Sequence, residues 1–316
     1  MRPPVVLDLD DSVGPLPGRR VLPLREWEEA IRFGCSMRTL RRFAGRLDAM
    51  LPREHGTVFL GSGDFHHLTL PLVRRVGGTD PFQVVVLDNH PDNMRFPFGV
   101  HCGSWVRRVA MLPRVSHVHV VGITSSDIGG GHAWENYLGP LRAGRLTYWS
   151  TGVDVGWASR LGLGRAFRSF PDASSLADAF ADAQHAQATP VYLSIDKDAF
   201  APDVATTNWD QGVMTFAQGA RVIGALRHRI LASDVTGEIS LYRYRAWWKR
   251  RLSAMDGQSE PDVARLRAWQ EEQHALNLRL LAMIGGSWLP PELLPAPDQV
   301  LHQQARQRHG GPDAES

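Results

Sequence analysis

Val84-Val85-Val86-Leu87 is an unbroken apolar run, too short for a helix, that ends at Asp88. A strand without polar alternation is buried on both faces, so its sheet must be covered on both sides. Further strands are expected at Val5–Leu7, Thr57–Leu60, Val118–Ile123, Leu146–Trp149, Val191–Ile195 and Ile230–Ala232. Helical periodicity lies between them. Ser36 caps a run with Met37, Leu40, Phe43, Ala44, Leu47 and Leu51 at helical spacing, and Ser174–Gln184 and Phe216–Arg227 follow suit. Strands alternating with helices predict an α/β fold with a mostly parallel sheet. There is no internal repeat or Pro/Ser-rich linker, so one α/β domain is expected. Glu260–Leu281 reads as a charged amphipathic helix with Val263, Leu266, Trp269, Leu276 and Leu280 as packing positions. From Gln303 the chain is polar and reads as a disordered tail.

The 316 residues are 43% hydrophobic and 22% charged, enough to bury a core without disulfides or a structural metal. A formal charge of +2 gives no global field toward nucleic acid or an anionic membrane. Cys35 and Cys102 lie far apart without CxxC spacing, which excludes a disulfide scaffold and a thiolate zinc site and fits a reducing compartment. No segment approaches a membrane span, and Met1-Arg2-Pro3-Pro4 lacks the apolar core of a signal peptide. The expectation is a cytoplasmic protein acting on a small molecule, without a membrane or nucleic-acid partner.

Ligands of open parallel sheets gather beyond the carboxyl ends of the strands. There the chain carries Asp64, His66 and His67; Asp88-Asn89-His90-Pro91-Asp92; Asp196-Lys197-Asp198; and Asp234 with Glu238. In extended backbone, residues two apart share a side, so Asp88, His90 and Asp92 converge, as do Asp196 and Asp198. Four buried aspartates require protonation or cations. Two divalent ions would cancel their charge, and two imidazoles would complete the shells. Oxygen-rich ligation favours manganese, with zinc, iron and cobalt also compatible.

These segments resemble the ureohydrolases, the arginase, agmatinase and formimidoylglutamase family. The family order of a Gly-Gly-Asp-His segment, Asp-Ala-His-x-Asp, His-Gly, Ser-x-Asp-x-Asp and a late glutamate is matched in turn. The corresponding residues are Gly61-Ser62-Gly63-Asp64-Phe65-His66, Asp88-Asn89-His90-Pro91-Asp92, His101-Cys102-Gly103, Ser194-Ile195-Asp196-Lys197-Asp198 and Glu238. The resemblance spans Val5 to Ser240. It implies a three-layer α/β/α arginase-like domain over residues 1–302, with a helical extension over 241–302, and a homo-oligomer. It also implies two metal ions, manganese by preference, held by His66, Asp88, His90, Asp92, Asp196 and Asp198. Between His66 and His67 as ligand, His66 aligns better. The implied reaction is hydrolysis of a guanidino, amidino, formimino or amide C–N bond by metal-activated hydroxide. Asp198 would hold the water's proton, His101 would deliver one to the departing amine, and Glu238 would grip a cationic substrate.

The departures concern substrate. Asp198 is followed by Ala199-Phe200-Ala201-Pro202-Asp203, which displaces the family's rigid turn, and Trp209 enters a loop that would rim the pocket. Asn93-Met94-Arg95-Phe96 offers no arginase-type grip on an amino-acid head group, and Gly237 precedes the glutamate, so arginine is disfavoured as substrate. The alternatives are a single-metal deacetylase-like hydrolase, a two-metal phosphoesterase, and a metal-binding relative without turnover. Tyr242–Arg251 interleaves aromatics and bases; an amphipathic helix packing its aromatics inward is preferred there over stacking on nucleic acid or a pocket wall. Gly129-Gly130-Gly131-His132 reads as an ordinary flexible turn, with a mobile rim loop as the alternative, and His117 and His119 as solvent-facing or satisfied strand histidines.

Overall fold

The computed structural model describes residues 2–255, 257–258 and 260–285. Eleven strands run in chain order: β1 Val5–Asp8, β2 Arg20–Pro23, β3 Gly34–Cys35, β4 Val58–Ser62, β5 Phe82–Leu87, β6 Val100–His101, β7 Val115–Ile123, β8 Leu146–Thr151, β9 Phe167–Phe170, β10 Val191–Asp196 and β11 Ile230–Glu238. The helices are α1 Glu28–Ile31, α2 Met37–Met50, α3 Thr69–Arg74, α4 Val106–Ala110, α5 Leu138–Arg142, α6 Gly156–Arg160, α7 Ala173–His185, α8 Phe216–Gly224, α9 Trp247–Met255 and α10 Leu266–Ile284. Nine strands form one parallel sheet in the order β2-β1-β4-β11-β10-β5-β7-β8-β9. The short β3 and β6 pair antiparallel beside it.

Alternation within the strands divides the interior into two cores. Val84 and Val86 of β5 face one, with Leu40, Phe43 and Leu47 of α2 and Val106 and Val109 of α4. Val85 and Leu87 face the other, with Leu176 and Phe180 of α7, Val222 and Ile223 of α8, and Leu276 and Leu280 of α10. Helices thus cover both faces, giving the three-layer α/β/α architecture that the sequence pattern implies.

Several expectations need correction. β2 and β9 are edge strands whose half-exposed residues carry no apolar run. β11 runs to Glu238, so Asp234 and Glu238 lie inside a strand rather than beyond one. α8 stops at Gly224, and the chain continues through a 3-10 turn at Arg227–Arg229. The last helix begins at Leu266, six residues later than expected, and Val263 lies outside it, 69% exposed. Its buried positions are Gln273, Leu276, Asn277, Leu280 and Met283. The expected tail, 303–316, lies outside the described residues. No helix among the described residues is long and apolar enough to cross a membrane.

One buried cation organises the strand ends on the β1–β4 side. Arg32 is 2% exposed and pairs with Asp10 at 2.7 Å, Asp64 at 2.8 Å and Glu28 at 3.1 Å, between the rings of Phe65 and Tyr242. Burial opposes its charge, but the carboxylates outweigh that and raise its pKa. The 242–251 stretch serves this cluster. Tyr244 donates to Asp64 at 2.9 Å, and Lys249 donates to the carbonyls of Glu29 and Arg32 at 2.6 and 2.8 Å. Replacing Arg32 by Met leaves Asp10 and Asp64 buried without a counter-charge. Such a change is expected to cost about 3–5 kcal/mol in urea unfolding; a loss below about 1 kcal/mol would mean that the cluster is not held by this charge.

Candidate metal centre

The carboxyl ends of β4, β5 and β10 bring the sequence-nominated histidines and aspartates together. β5 ends at Leu87, and Asp88 begins the turn that carries His90 and Asp92. β10 ends on Asp196, whose carboxylate accepts from the Asp198 backbone N–H at 3.2 Å and so caps the 3-10 turn Lys197–Ala199. β4 leads into the 3-10 segment Gly63–Leu68, which places His66. Asp92 sits at φ +47°, a conformation tolerated by aspartate and held here because Trp105 Nε1 donates to its carboxylate.

Around His66 Nδ1 stand Asp92 Oδ2 at 2.9 Å, Asp88 Oδ2 at 3.2 Å and Asp196 Oδ2 at 3.3 Å. An imidazole nitrogen has at most one proton and serves one of these well. Asp88 Oδ2 is buried and has no aligned hydrogen bond. His90 Nδ1 lies 3.0 Å from Asp198 Oδ2 and 3.6 Å from Asp88 Oδ1. The side chains form two ligand groups, His66/Asp88/Asp196 and Asp88/His90/Asp198, each with its ligand atoms within 4.8 Å of one another, and Asp88 belongs to both.

The electrostatics describe a site with excess negative charge. Burial pushes Asp92, Asp196 and Asp198 above the usual carboxylate range, reinforced by Asp88 in the first and third cases and by Asp198 in the second. Burial also opposes ionisation of Asp88, but the neighbouring His66 and His90 imidazoles overcome it and lower its pKa. Both histidines are held well above the ordinary imidazole value: burial works against the charge, and the surrounding aspartates prevail. Divalent cations at the two groups would supply the compensating charge in place of protons on the histidines. The donor set, carboxylate oxygens with two imidazoles and no thiolate, suits hard or borderline divalent metals.

A second layer fixes the ligands. His66 Nε2 lies 3.0 Å from Ser194 Oγ, and Ser194 donates to Asp234 Oδ1 at 2.7 Å. Since the hydroxyl proton goes to Asp234, Ser194 accepts from His66 Nε2–H and leaves Nδ1 facing the carboxylates. Thr69 and Tyr192 also donate to Asp234. On the other side, His90 Nε2 meets Asp210 Oδ1 at 2.8 Å, and Asn89 Nδ2 holds Asp210 through its Oδ2 and its carbonyl. Asp234 was nominated beside Glu238 at a strand end, and Ser194 only through the Ser-x-Asp-x-Asp resemblance. Asp210 was missed, because nothing in its local sequence marks a loop carboxylate that meets His90.

A cavity of about 610 Å³ opens over these groups, with Met94, His101, Cys102, Trp134, Trp209 and Met255 among its walls. His101 stacks on Phe33 at 5.6 Å and accepts the Gly103 N–H through Nδ1, so its Nε2 carries the proton in the neutral ring. Burial lowers its pKa to about 4. His67 is fully buried outside the cavity, and burial lowers its pKa to about 3. His132 and Trp134 of the glycine-rich loop stand on the cavity wall, and His132 pairs with Glu135 at 3.1 Å. His119 accepts from Trp149 Nε1 and His117 meets Thr147, as expected for satisfied strand histidines.

Glu238 departs from the role the resemblance implies. It does not line the cavity; its carboxylate pairs with buried Lys197 at 2.7 Å and accepts from Asn277 of α10 at 2.6 Å. Gly237 is a steric requirement: at φ +91°, a Cβ there would lie 2.4 Å from Asp196 Oδ1.

No family model matches the chain. An uncharacterized protein of Thermotoga maritima is 30% identical over 196 residues, 61% of this chain; the match spans 62% of that protein's length. Similar solved structures include three named enzymes. Proclavaminate amidinohydrolase of Streptomyces clavuligerus is 18% identical, with TM-score 0.46 over 78% of this chain and 69% of that one. Arginase of Bacillus caldovelox is 13% identical, with TM-score 0.47 over 78% and 93%. A Trypanosoma cruzi formiminoglutamase variant with Mn2+ is 13% identical, with TM-score 0.48 over 87% and 76%. Likeness at this level assigns no chemistry, which rests on the side chains above.

His101 supplies a pH test of the site's burial. In the folded chain it stays neutral until pH approaches about 4, whereas unfolded it takes a proton near 6.5. The unfolded state binds more protons between those values, so this group's contribution to stability falls by about 1.4 kcal/mol per pH unit as pH drops. His101→Phe is expected to remove that component: relative to wild type, the variant gains stability from pH 6.5 to 4 in EDTA, read from urea midpoints. A difference independent of pH would show that His101 charges freely.

Proposed function

We propose that this chain is a binuclear, divalent-metal-dependent hydrolase that cleaves a C–N bond of a guanidino, amidino, formimino or amide compound. The observation that carries the reading is Asp88, whose two oxygens belong to two ligand groups, each with its own histidine. Two ions fit that arrangement better than the single zinc of a deacetylase-like site. One ion would be held by His66, Asp88, Asp92 and Asp196, the other by Asp88, His90, Asp196 and Asp198, with manganese favoured by the ligand types. Bound there, such ions supply a nucleophile at neutral pH and Lewis-acid stabilisation of charge.

The chain's own groups do the rest. Ser194 and Asp210 keep the Nδ1 atoms of His66 and His90 aimed at the carboxylates. Asp198 is oriented by the Asn89 N–H to its Oδ1 at 3.1 Å. Its carboxylate would be placed to take the proton of the attacking water and return it to the departing nitrogen. Neutral His101, with Nδ1 engaged, offers Nε2–H to orient the leaving group. Phe33 and Phe96 pack on its ring and hold that direction.

Metal analysis and a substrate panel test the reading. Protein dialysed against Mn2+ is expected to retain about two ions per chain, and Asp88→Asn to lose both. Release of ammonia, urea or amine from guanidino, amidino, formimino and amide compounds is expected to fall about 10³-fold in that variant, matching the several kcal/mol a metal pair contributes. One ion per chain would favour the deacetylase-like alternative, turnover of phosphate esters alone the phosphoesterase, and no retained ion would end the proposal.

A further inference from the structure

Trp209 lies in the loop after Asp198 and lines the cavity over the ligand cluster. Its indole Nε1–H is buried and has no hydrogen-bond partner. The ring is seated by stacking on Phe33 at 6.3 Å, and its carbonyl accepts from Thr207 Oγ1 at 3.0 Å. A Cβ placed on Gly63 would lie 3.4 Å from both Trp209 Nε1 and Asp196 Oδ2, so those two atoms are no more than 6.8 Å apart. The absence of a side chain at Gly63 lets the indole pack this close to the ligand cluster, since a Cβ there would lie 3.1 Å from Trp209 Cδ1. An indole N–H only donates, and a buried donor requires an acceptor.

A guanidinium brings none, since all its polar groups are N–H donors. Nor does the end of β11 offer a guanidinium the carboxylate that the resemblance implies. Glu238 is turned away and neutralised by Lys197. Asp210 is engaged by His90 and Glu135 by His132, leaving Asp127 on the turn after β7 for a charge elsewhere on the substrate. The unpaired donor and the withdrawn anion are independent observations, and both favour an uncharged, acceptor-bearing group.

We infer that the bond cleaved is that of a neutral amide, an N-acyl amine, whose carbonyl oxygen accepts a hydrogen bond from Trp209 Nε1. The inference rests on the hydrolase reading of the same cavity and narrows its substrate class. In the reaction, water oxygen joins the acyl carbon and the C–N bond breaks. A proton passes from water to the departing amine, and acid and amine leave with no change of oxidation state. The Trp209 bond strengthens as charge grows on the carbonyl oxygen, which makes Trp209 a catalytic residue.

The test uses size-matched probes on the full chain, N-butylacetamide against N-butylguanidinium, with the resonance and binding read on the diamagnetic Zn2+-loaded form and turnover on the Mn2+-loaded form. The Trp209 indole N–H resonance is assigned by its loss in Trp209→Phe. The amide is expected to move that resonance in the wild-type protein, to bind more tightly than the guanidinium, and to bind about 3- to 10-fold more weakly to Trp209→Phe. Among N-acyl amines and guanidino compounds the acyl amines are expected to be cleaved preferentially, with kcat lowered on the order of 10²-fold in Trp209→Phe at unchanged metal content. A stationary resonance, a preference for the guanidinium, binding of neither probe, or unaltered amide turnover in the variant overturns the inference. Failure to retain metal overturns the hydrolase reading instead, and the wild-type resonance still decides between the two probes.

Discussion

Four carboxylates drawn into one buried pocket set the terms for everything around them. Asp88, Asp92, Asp196 and Asp198 are each no more than 4% exposed, and like charges at this spacing cannot all persist without compensation. The parallel sheet creates the problem by ending adjacent strands β5 and β10 at the same level, each in an aspartate-bearing turn. The two histidines answer it in part. Cations at the two groups that share Asp88 would answer it fully, which is why the pocket is read as a metal centre rather than an unusually costly hydrogen-bond network.

Each part of the cluster is in turn held by a partner from a distant segment. His66 is set by Ser194 and Asp234, His90 by Asp210 and Asn89, and Asp92 by Trp105. Arg32 performs the same service one layer out, fixing Asp64 and Asp10 beneath the turn that carries His66. Ligand direction is therefore set by the fold before any ion arrives, the condition under which binding costs least reorganisation.

What could be read from the sequence follows from how local the cause is. β5 announces itself because a strand buried on both faces needs consecutive apolar residues, and the Asp-x-His-x-Asp spacing states its own convergence. β2 and β9 do not, because an edge strand is half solvated and its Arg20-Val21 or Arg168-Ser169 resembles a loop. The extension of β11 through Ser233, Asp234, Thr236 and Gly237 was hidden for the opposite reason. Those polar residues belong in a strand only because Thr57, Ser194, Tyr192 and Thr69 meet Ser233 and Asp234 from neighbouring segments. Asp210 and the Trp209 N–H depend on where an irregular loop comes to rest, and no periodicity encodes that.

Glu238 shows why motif order and chemical role can separate. Its position in the sequence matches a substrate-holding glutamate, and its backbone pairs with Ser62 beside the site. Yet Lys197, between the two cavity-facing aspartates, points the other way, and α10 brings Asn277 to the same carboxylate. Burial lowers the lysine's pKa and the glutamate opposes that shift, so Lys197 depends on Glu238 as its counter-ion in the interior. Releasing Glu238 to hold a cationic substrate would strand Lys197 without its counter-ion. The pair is thus a structural commitment, and under the proposed reading recognition falls to a neutral donor on the loop after Asp198 rather than to an anion at the end of β11.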